Sequence, residues 1–154
     1  MRAVPAAALI ALLTSPAIAG ERERGTVLMP EASRAREFHE SWGFAQAVIA
    51  GDTIYLSGIV ADRREDEQSF EPAYERVYAQ VASILKRAGA SWDDVIDLSS
   101  FHTDVEAQIR DLVAVHKRHV KAPYPAWTAI GVAKILGGGV TEIKVVAKRP
   151  RPGK

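Results

Sequence analysis

Two stretches of this chain repeat apolar residues at helical spacing, and each has only one apolar face. The first stretch has spacings of four, three, one and three residues: Val77, Val81, Ile84, Leu85 and Ala88. The second has spacings of three, one, three and four: Ile109, Leu112, Val113, His116 and Val120. A helix with a single apolar stripe must bury that stripe against another layer. The two stretches therefore predict amphipathic helices that pack on a common partner.

The residues that flank these stretches set the expected ends of the helices. Pro72 suits a first helical turn, and Gly89 stands at a left-handed cap position after the first helix. The second helix is expected from about Val105 to Val120, where Pro123 and Pro125 prevent it from continuing.

Five runs with strand character surround the helices, and a turn at residues 50–52 makes the first two a predicted hairpin. The runs are 44–49, 53–60, 95–103, 126–134 and 140–148. The resulting order is β-β-α-β-α-β-β, which predicts an α+β fold whose sheet is covered on one face by two helices.

The last strand alternates between two kinds of residue. One set suits packing under the helices: Thr141, Ile143, Val145 and Ala147. The other set mixes apolar and charged groups: Val140, Glu142, Lys144 and Val146. Because the second face keeps apolar groups without a covering helix, we expect it to meet another subunit.

The N-terminus has the pattern of an export signal. Arg2 precedes an apolar stretch too short to span a bilayer, and residues 17–19 have the small-x-small pattern of a signal-peptidase site. We expect residues 1–19 to be a signal peptide cleaved after Ala19, and the protein to be periplasmic or secreted, with no membrane attachment after cleavage. The alternatives are an uncleaved anchor or a buried N-terminal helix.

The rest of the chain divides into three expected parts. Residues 20–41 are rich in Glu and Arg, with no sustained apolar period, and are interpreted as a flexible or loosely docked arm. Residues 42–150 form a single domain, because a chain of 154 residues is long enough for one core only. Residues 151–154 are a basic tail.

Composition excludes several kinds of chemistry. The chain contains no cysteine, so thiol nucleophiles and thiolate metal sites are absent. Its formal net charge of +1 provides no strong attraction to nucleic acid or to acidic lipid.

Four short segments, in this order, resemble the RidA family, also called YjgF or L-PSP. They are the run 53–58 (TIYLSG), the helix end 88–91 (AGAS) before Asp93, Asp94 and Val95, the pair Pro125-Ala126, and the run 141–147 (TEIKVVA). The likeness covers roughly residues 43–147. It implies a chorismate-mutase-like fold assembled as a homotrimer, with ligand clefts between neighbouring subunits. It further implies hydrolysis of enamines and imines derived from amino acids, without a metal or organic cofactor.

The resemblance also assigns roles to individual residues. Ser57 and Gly58 match the family's S-G motif, and Glu142 matches the glutamate that positions or activates water. Phe44 stands where family members commonly carry a cleft-lining tyrosine. Trp127 occupies the position of the arginine that binds the substrate carboxylate.

The tryptophan changes what the cleft can recognise. A guanidinium forms two charge-assisted hydrogen bonds to a carboxylate, whereas an indole has one neutral N–H donor and an apolar face. Losing such bonds removes about 1.5 to 3 kcal/mol. We therefore expect poor recognition of small 2-imino acids, and stacking of Trp127 on a flat or cationic ligand. The alternative is that Trp127 plugs the cleft or packs at the subunit interface.

The other candidates also have structural alternatives. Glu142 is a candidate general base, or else a partner of Lys144 in a salt bridge. Ser57 is at most a hydrogen-bond donor to ligand or water, or else a turn hydroxyl. His116 and His119 lie three residues apart on a helix, but without a recognisable third ligand no metal site is expected. His39 and His102 have no identifiable partner, and the run 137–139 of three glycines is expected to be a hairpin connection.

Two functional hypotheses follow. The first is an imine or enamine hydrolase with altered specificity. The second is a non-catalytic trimer that binds a small molecule in the intersubunit cleft. The nuclease activity attributed to some members of the family is the least favoured, because the chain is nearly neutral and lacks a basic and aromatic RNA platform.

Overall fold

The scaffold of the protein is one mixed sheet, seen in a computed structural model that describes residues 20–150. The strands are β1 (Thr26–Leu28), β2 (Ala47–Ala50), β3 (Thr53–Leu56), β4 (Ile59–Ala61), β5 (Val95–His102), β6 (Ala126–Gly131) and β7 (Thr141–Lys148). Their order is β1-β2-β3-β7-β5-β6, and β4 also pairs with β7. Strand β6 runs parallel to β5, and every other pairing is antiparallel.

Two long helices cover one face of this sheet, as predicted. The helices are α1 (Glu21–Arg24), α2 (Ser33–Trp42), α3 (Glu71–Arg87) and α4 (Val105–His119). The side chains of Tyr74 on α3 and Gln108 on α4 both bond to Thr141 of β7, so α3 and α4 lie on the same side. The predicted α+β fold class is confirmed.

The predicted apolar stripe of α3 is entirely buried: Val77, Val81, Ile84, Leu85 and Ala88. The helix ends before Gly89, whose φ of 79° is the left-handed conformation expected for it.

The stripe of α4 differs from the prediction by one position. Leu112 and His116 are buried as expected, but Gln108 and Val115 are buried where Ile109 and Val113 are only half-buried. The physical reason is that the Gln108 amide reaches polar side chains of β5 and β7. These hydrogen bonds stabilise a rotation of the helix that apolar periodicity cannot reveal.

Two connections between strands also differ from the sequence expectation. The second predicted strand is broken into β3 and β4 at Ser57-Gly58. The glycine run 137–139 does not close a hairpin, because β5 lies between β6 and β7. It belongs instead to a short 3₁₀ turn, Leu136–Gly138, and the segment that leads into β7.

Segment 20–41, interpreted from the sequence as a flexible or loosely docked arm, contains regular structure. Strand β1 extends the sheet by pairing with β2, and α2 follows it. The Arg87 guanidinium at the end of α3 holds this segment by bonding to the Met29 carbonyl at 2.7 Å and pairing with Glu31 at 3.3 Å. Helix α2 nevertheless has no buried residue, in keeping with the absence of a core-facing apolar stripe in its sequence.

The alternation of the last strand is as predicted. Its helix-facing residues are at most 1% exposed: Thr141, Ile143, Val145 and Ala147. The opposite sheet face, which α3 and α4 leave uncovered, carries the exposed Tyr55 and Ile130. No helix within residues 20–150 has both the length and the apolar character that crossing a bilayer requires. The predicted signal peptide and basic tail lie outside the described residues.

Candidate functional site

The break between β3 and β4 is a bulge that faces Glu142. Tyr55 pairs with Val146 and Ile59 pairs with Ile143, so the three residues 56–58 oppose the two residues 144–145. Such an extra residue bends a strand and redirects side chains, and bulges are common next to functional sites. Here the bulged residues are Ser57 and Gly58, and the pairing resumes beside Glu142.

Gly58 leaves the space that the Glu142 carboxylate fills. A Cβ atom at position 58 would lie 1.7 Å from Glu142 Oε1 and 2.6 Å from Cδ. Any larger residue would therefore displace the carboxylate. The S-G motif thus positions Glu142 by the absence of a side chain at Gly58.

A cavity of about 520 Å³ opens in front of this carboxylate. Its lining comes from the bulge, β4, β7, the turn before β7, helix α2 and the segment that follows α2: Phe38, Trp42, Phe44, Ser57, Gly58, Val60, Leu136, Gly137 and Glu142. Four of the five site residues expected from sequence, Glu142, Ser57, Phe44 and Gly58, are brought together here. The fifth, Trp127, is not among the lining residues.

Glu142 is the one charged residue in this lining, and no partner is seen for it. Among residues 20–150, no hydrogen bond or ion pair to its carboxylate is found, and the salt bridge to Lys144 that we considered does not form. Its carboxylate is half-buried beside apolar walls. A carboxylate in this setting is free to accept a proton or a hydrogen bond from a bound molecule.

Ser57 has already used its only proton. Its hydroxyl donates to the Ala45 carbonyl at 2.7 Å, which ties the bulge to the segment before β2. A ligand can donate to the lone pairs of Ser57 Oγ, but the Ser57 hydroxyl has no further proton to donate to a ligand. This matches the alternative of a satisfied turn hydroxyl.

Helix α2 and Phe44, which follows the cap of this helix, supply the aromatic wall of the cavity. The Phe38 ring lies 5.3 Å from the Trp42 ring and 6.0 Å from the Phe44 ring, between centroids. His39 stacks on Phe44 at 4.1 Å, and its Nδ1 is buried without a hydrogen-bond partner in the described chain. His39 also lines a smaller neighbouring cavity with Ser57 and Gly58.

Trp127 lies on the other side of the sheet. It is in register with Leu98, which is fully buried under the helices, and its ring packs 4.8 Å from the His116 ring of α4. Its indole Nε1 donates to Ser100 Oγ at 2.9 Å. Within one chain, Trp127 is therefore a half-buried packing residue whose only donor is occupied.

Ser100 connects Trp127 to a buried histidine for which sequence offered no partner. His102 Nε2 lies 2.9 Å from Ser100 Oγ, and His102 Nδ1 lies 3.2 Å from Gln108 Oε1. An amide oxygen only accepts, so Nδ1 carries the proton and Nε2 accepts from the Ser100 hydroxyl. Burial lowers the pKa of His102, which favours this neutral form.

The same network continues to the start of β7. The Thr141 hydroxyl donates to Gln108 Oε1 at 3.2 Å and lies 2.9 Å from the Tyr74 hydroxyl, which donates to it. Burial raises the pKa of Tyr74 to about 12, so the phenol keeps its proton. A chain of satisfied hydrogen bonds therefore fixes Thr141, the residue directly before Glu142.

The two helical histidines have separate partners. His116 Nδ1 lies 2.9 Å from the Tyr78 hydroxyl, and His119 Nε2 lies 2.6 Å from Glu75 Oε2. Across residues 20–150, no group of three His, Cys, Asp or Glu side chains is arranged to hold a metal ion.

The chain that carries this site matches a known protein family. The family described as Endoribonuclease L-PSP matches residues 35–149. The chain belongs to this family, which includes the RidA and YjgF proteins. The resemblance seen in the sequence is thus confirmed, and the match begins inside α2.

Individual members of the L-PSP family are similar over most of their length. The "RutC family protein YjgH" of Escherichia coli is 37% identical over 110 residues, which is 70% of this chain and 83% of that protein. A solved structure of protein YjgH has a TM-score of 0.69 and 33% identity, and covers 86% of this chain and 100% of that one. A "2-iminobutanoate/2-iminopropanoate deaminase" of Dermatophagoides farinae is 26% identical over 110 residues, 67% of this chain and 83% of that protein.

In this L-PSP protein, one part of the site was not predicted from the sequence. This part is supplied by α2 and by the turn before β7. Phe38 was assigned to the flexible arm, and Trp42 to the start of the domain. Their spacing of four residues, followed by Gly43 at a left-handed cap, is a signal of a short helix with an aromatic face. Leu136 carries no such signal, because only the tertiary structure brings it to the cavity.

Proposed function

We propose that this protein is a hydrolase of imines or enamines whose specificity differs from that of the deaminases in its family. The observation that supports this is the carboxylate of Glu142, held over Gly58 without a partner in a cavity large enough for a small metabolite. The same family includes proteins named 2-iminobutanoate/2-iminopropanoate deaminase.

In the proposed reaction, Glu142 is the general base. Water attacks the carbon of a protonated imine, R₂C=NH₂⁺, and Glu142 takes one proton from this water. The carbinolamine that forms receives that proton on nitrogen. As the C–N bond breaks, Glu142 takes the proton of the hydroxyl, which becomes a carbonyl, and passes this proton to the departing ammonia. The products are a ketone or aldehyde and ammonium, and the carboxylate is regenerated.

The proposed change in specificity concerns the substrate carboxylate. None of the residues lining the cavity in this chain is Arg, Lys or His. The Trp127 indole, at the position of the family's arginine, already donates its N–H to Ser100. A 2-imino acid therefore meets no cationic group from this chain that would bind its carboxylate.

The activity is tested by generating 2-iminopropanoate with an amino-acid oxidase and trapping the keto acid. We expect no acceleration above the spontaneous rate by the unaltered protein. Acceleration like that of a deaminase by the unaltered protein contradicts the proposal.

The second candidate function is a binding protein without catalysis, favoured by the commitment of the Ser57 hydroxyl to Ala45. The Glu142→Ala variant separates the two, assayed on carboxylate-free imines. Turnover by the unaltered protein that the variant lacks favours the hydrolase. Binding without turnover in either form favours the binding protein.

We also propose that the protein self-associates as a homotrimer, with its ligand clefts between subunits. The uncovered sheet face presents Tyr55 at 47% and Ile130 at 44% exposure, which is consistent with a subunit interface. Light scattering on the eluted protein tests this, and a monomer contradicts it. We further propose export after cleavage at Ala19, which N-terminal sequencing of the mature protein tests.

A further inference from the structure

Three aromatic rings from two segments of the chain form one continuous wall of the cavity at Glu142. Phe38 touches both Trp42 and Phe44, and the large side chains of Phe38 and Trp42 remain 48% and 58% exposed. Aromatic residues with this much free surface are unusual unless they meet another molecule. Val60 and Leu136 add further apolar surface.

The residues that line the cavity carry negative charge only. Glu142 is its single ionisable residue, and no compensating cation is found for it among the described residues. A negative group beside apolar walls favours a positive ligand and disfavours a negative one, because the low local polarity strengthens both effects.

We propose that this cavity binds organic cations that carry an aromatic or similarly sized apolar body, as an ammonium or a protonated imine. The nitrogen donates to the Glu142 carboxylate, and the body lies against Phe38, Trp42 and Phe44, whose ring faces also attract positive charge. This inference rests on the proposed function, for which it names the substrate class: imines derived from arylalkyl amines or ketones without a carboxylate.

The volume of about 520 Å³ is consistent with this class. It falls within the usual range for sites that bind small organic molecules, roughly 300 to 1,000 Å³. A ligand with a single ring and a short side chain fits within it and reaches from the aromatic wall to Glu142.

Gly58 acts as a positioning residue for this recognition. Its backbone is not in the left-handed region, so the backbone conformation at this position permits alanine. An alanine Cβ would nevertheless overlap the Glu142 carboxylate. The Gly58→Ala variant therefore moves the charge without removing it.

The test measures binding by calorimetry at neutral pH on the full chain, with three probes of matched shape. The probes are 2-phenylethylammonium, 2-phenylethanol and 3-phenylpropanoate. We expect the cation to bind most tightly, the alcohol more weakly and the anion not at all at millimolar concentration.

Variants assign the preference to particular groups. Glu142→Gln should weaken binding of the cation by about 10- to 100-fold, the usual effect of losing a hydrogen bond to a charged group, and bring it to the level of the alcohol. Gly58→Ala should reduce the preference for the cation over the alcohol. Trp42→Ala should weaken both ligands, because the aromatic wall serves both.

The matched control is Glu106→Gln, which removes an exposed carboxylate on α4 that is outside the cavity. It should leave all three affinities unchanged. The proposal is overturned if 3-phenylpropanoate binds as tightly as the cation, if none of the probes binds, or if the preference survives Glu142→Gln.

These outcomes are independent of turnover. A cation preference that depends on Glu142, in a protein that hydrolyses no imine, contradicts the proposed function and supports this inference. Hydrolysis of imines without any preference for cations supports the proposed function and contradicts this inference.

Discussion

Thr141 and Glu142 are consecutive residues of β7 in two contrasting environments. Thr141 points under the helices, where its hydroxyl bonds to Gln108 and Tyr74 and none of its surface is exposed. Glu142 points to the other face, where its carboxylate has no partner among the described residues and borders a cavity.

The difference shows how one strand separates stability from recognition. Buried polar groups are costly unless each is hydrogen-bonded, and the network from Trp127 through His102 to Tyr74 meets that condition within the chain. The carboxylate of Glu142 contributes no such bond to the fold, so its interactions remain available to a ligand. Changes on the two faces should therefore have different consequences.

The largest expected effect on stability is that of His102→Leu. The variant leaves the buried Ser100 hydroxyl without an acceptor and removes one of the donors to the Gln108 amide oxygen, which should lower the free energy of unfolding by about 2 to 4 kcal/mol. Chemical denaturation measures this. His39→Leu is the matched control, with an expected cost below about 1 kcal/mol, because His39 Nδ1 has no hydrogen-bond partner in the described chain. Equal costs would show that the network does not stabilise the fold.

The next largest effect on stability is expected from acidification, which should destabilise the buried histidines. Burial lowers the pKa of both His102 and His116 below the ordinary value of 6.5. Their contribution is present above pH 6.5 and is lost as the pH falls, because the unfolded chain takes up protons that the folded chain does not. Each histidine accounts for a slope of at most about 1.4 kcal/mol per pH unit. Denaturation at pH 7.5 and 5.5 should show the loss, and the His102→Leu variant should show less of it.

A smaller effect is expected for Trp127→Phe. This variant keeps an aromatic ring near His116 but removes the N–H that donates to Ser100, which should cost about 1 kcal/mol. Trp42→Phe is the comparison for stability, since Trp42 is exposed and makes no such bond. If the two substitutions cost the same, the indole of Trp127 does not take part in the network.

The smallest effect on stability is expected for Glu142→Gln. With no partner to lose, the variant should stay within about 0.5 kcal/mol of the unaltered protein, while its ligand binding changes. Glu67 offers the contrast, because hydrogen bonds from Arg76 lower the pKa of that carboxyl to about 2. Glu67→Gln should therefore destabilise the protein more than Glu142→Gln does. A large loss of stability in Glu142→Gln would reveal a structural partner for this carboxylate.

The features that sequence predicted correctly are those set by nearby residues. The stripe of α3, its end before Gly89 and the alternation of β7 follow from backbone geometry over a few positions. The grouping of Ser57, Gly58, Phe44 and Glu142 came from the family resemblance, and the structure brings the four together. The role of Trp127 toward a ligand stays a prediction.

The features that sequence missed depend on partners far along the chain. Phe70 bonds to Asp111, and Trp127 to Ser100, across 41 and 27 positions. Such pairs depend on strand order, and neither the rotation of α4 nor the partners of His102 has a local signal.

By itself, the sequence determined the class of fold and the resemblance to the family, because periodicity and residue identity are local properties. Only the tertiary structure decided that the Trp127 indole lies under α4 and that α2 completes an aromatic wall at Glu142. The reason is that the face a side chain occupies, and the groups it meets there, follow from how strands pair and helices rotate when the whole core packs.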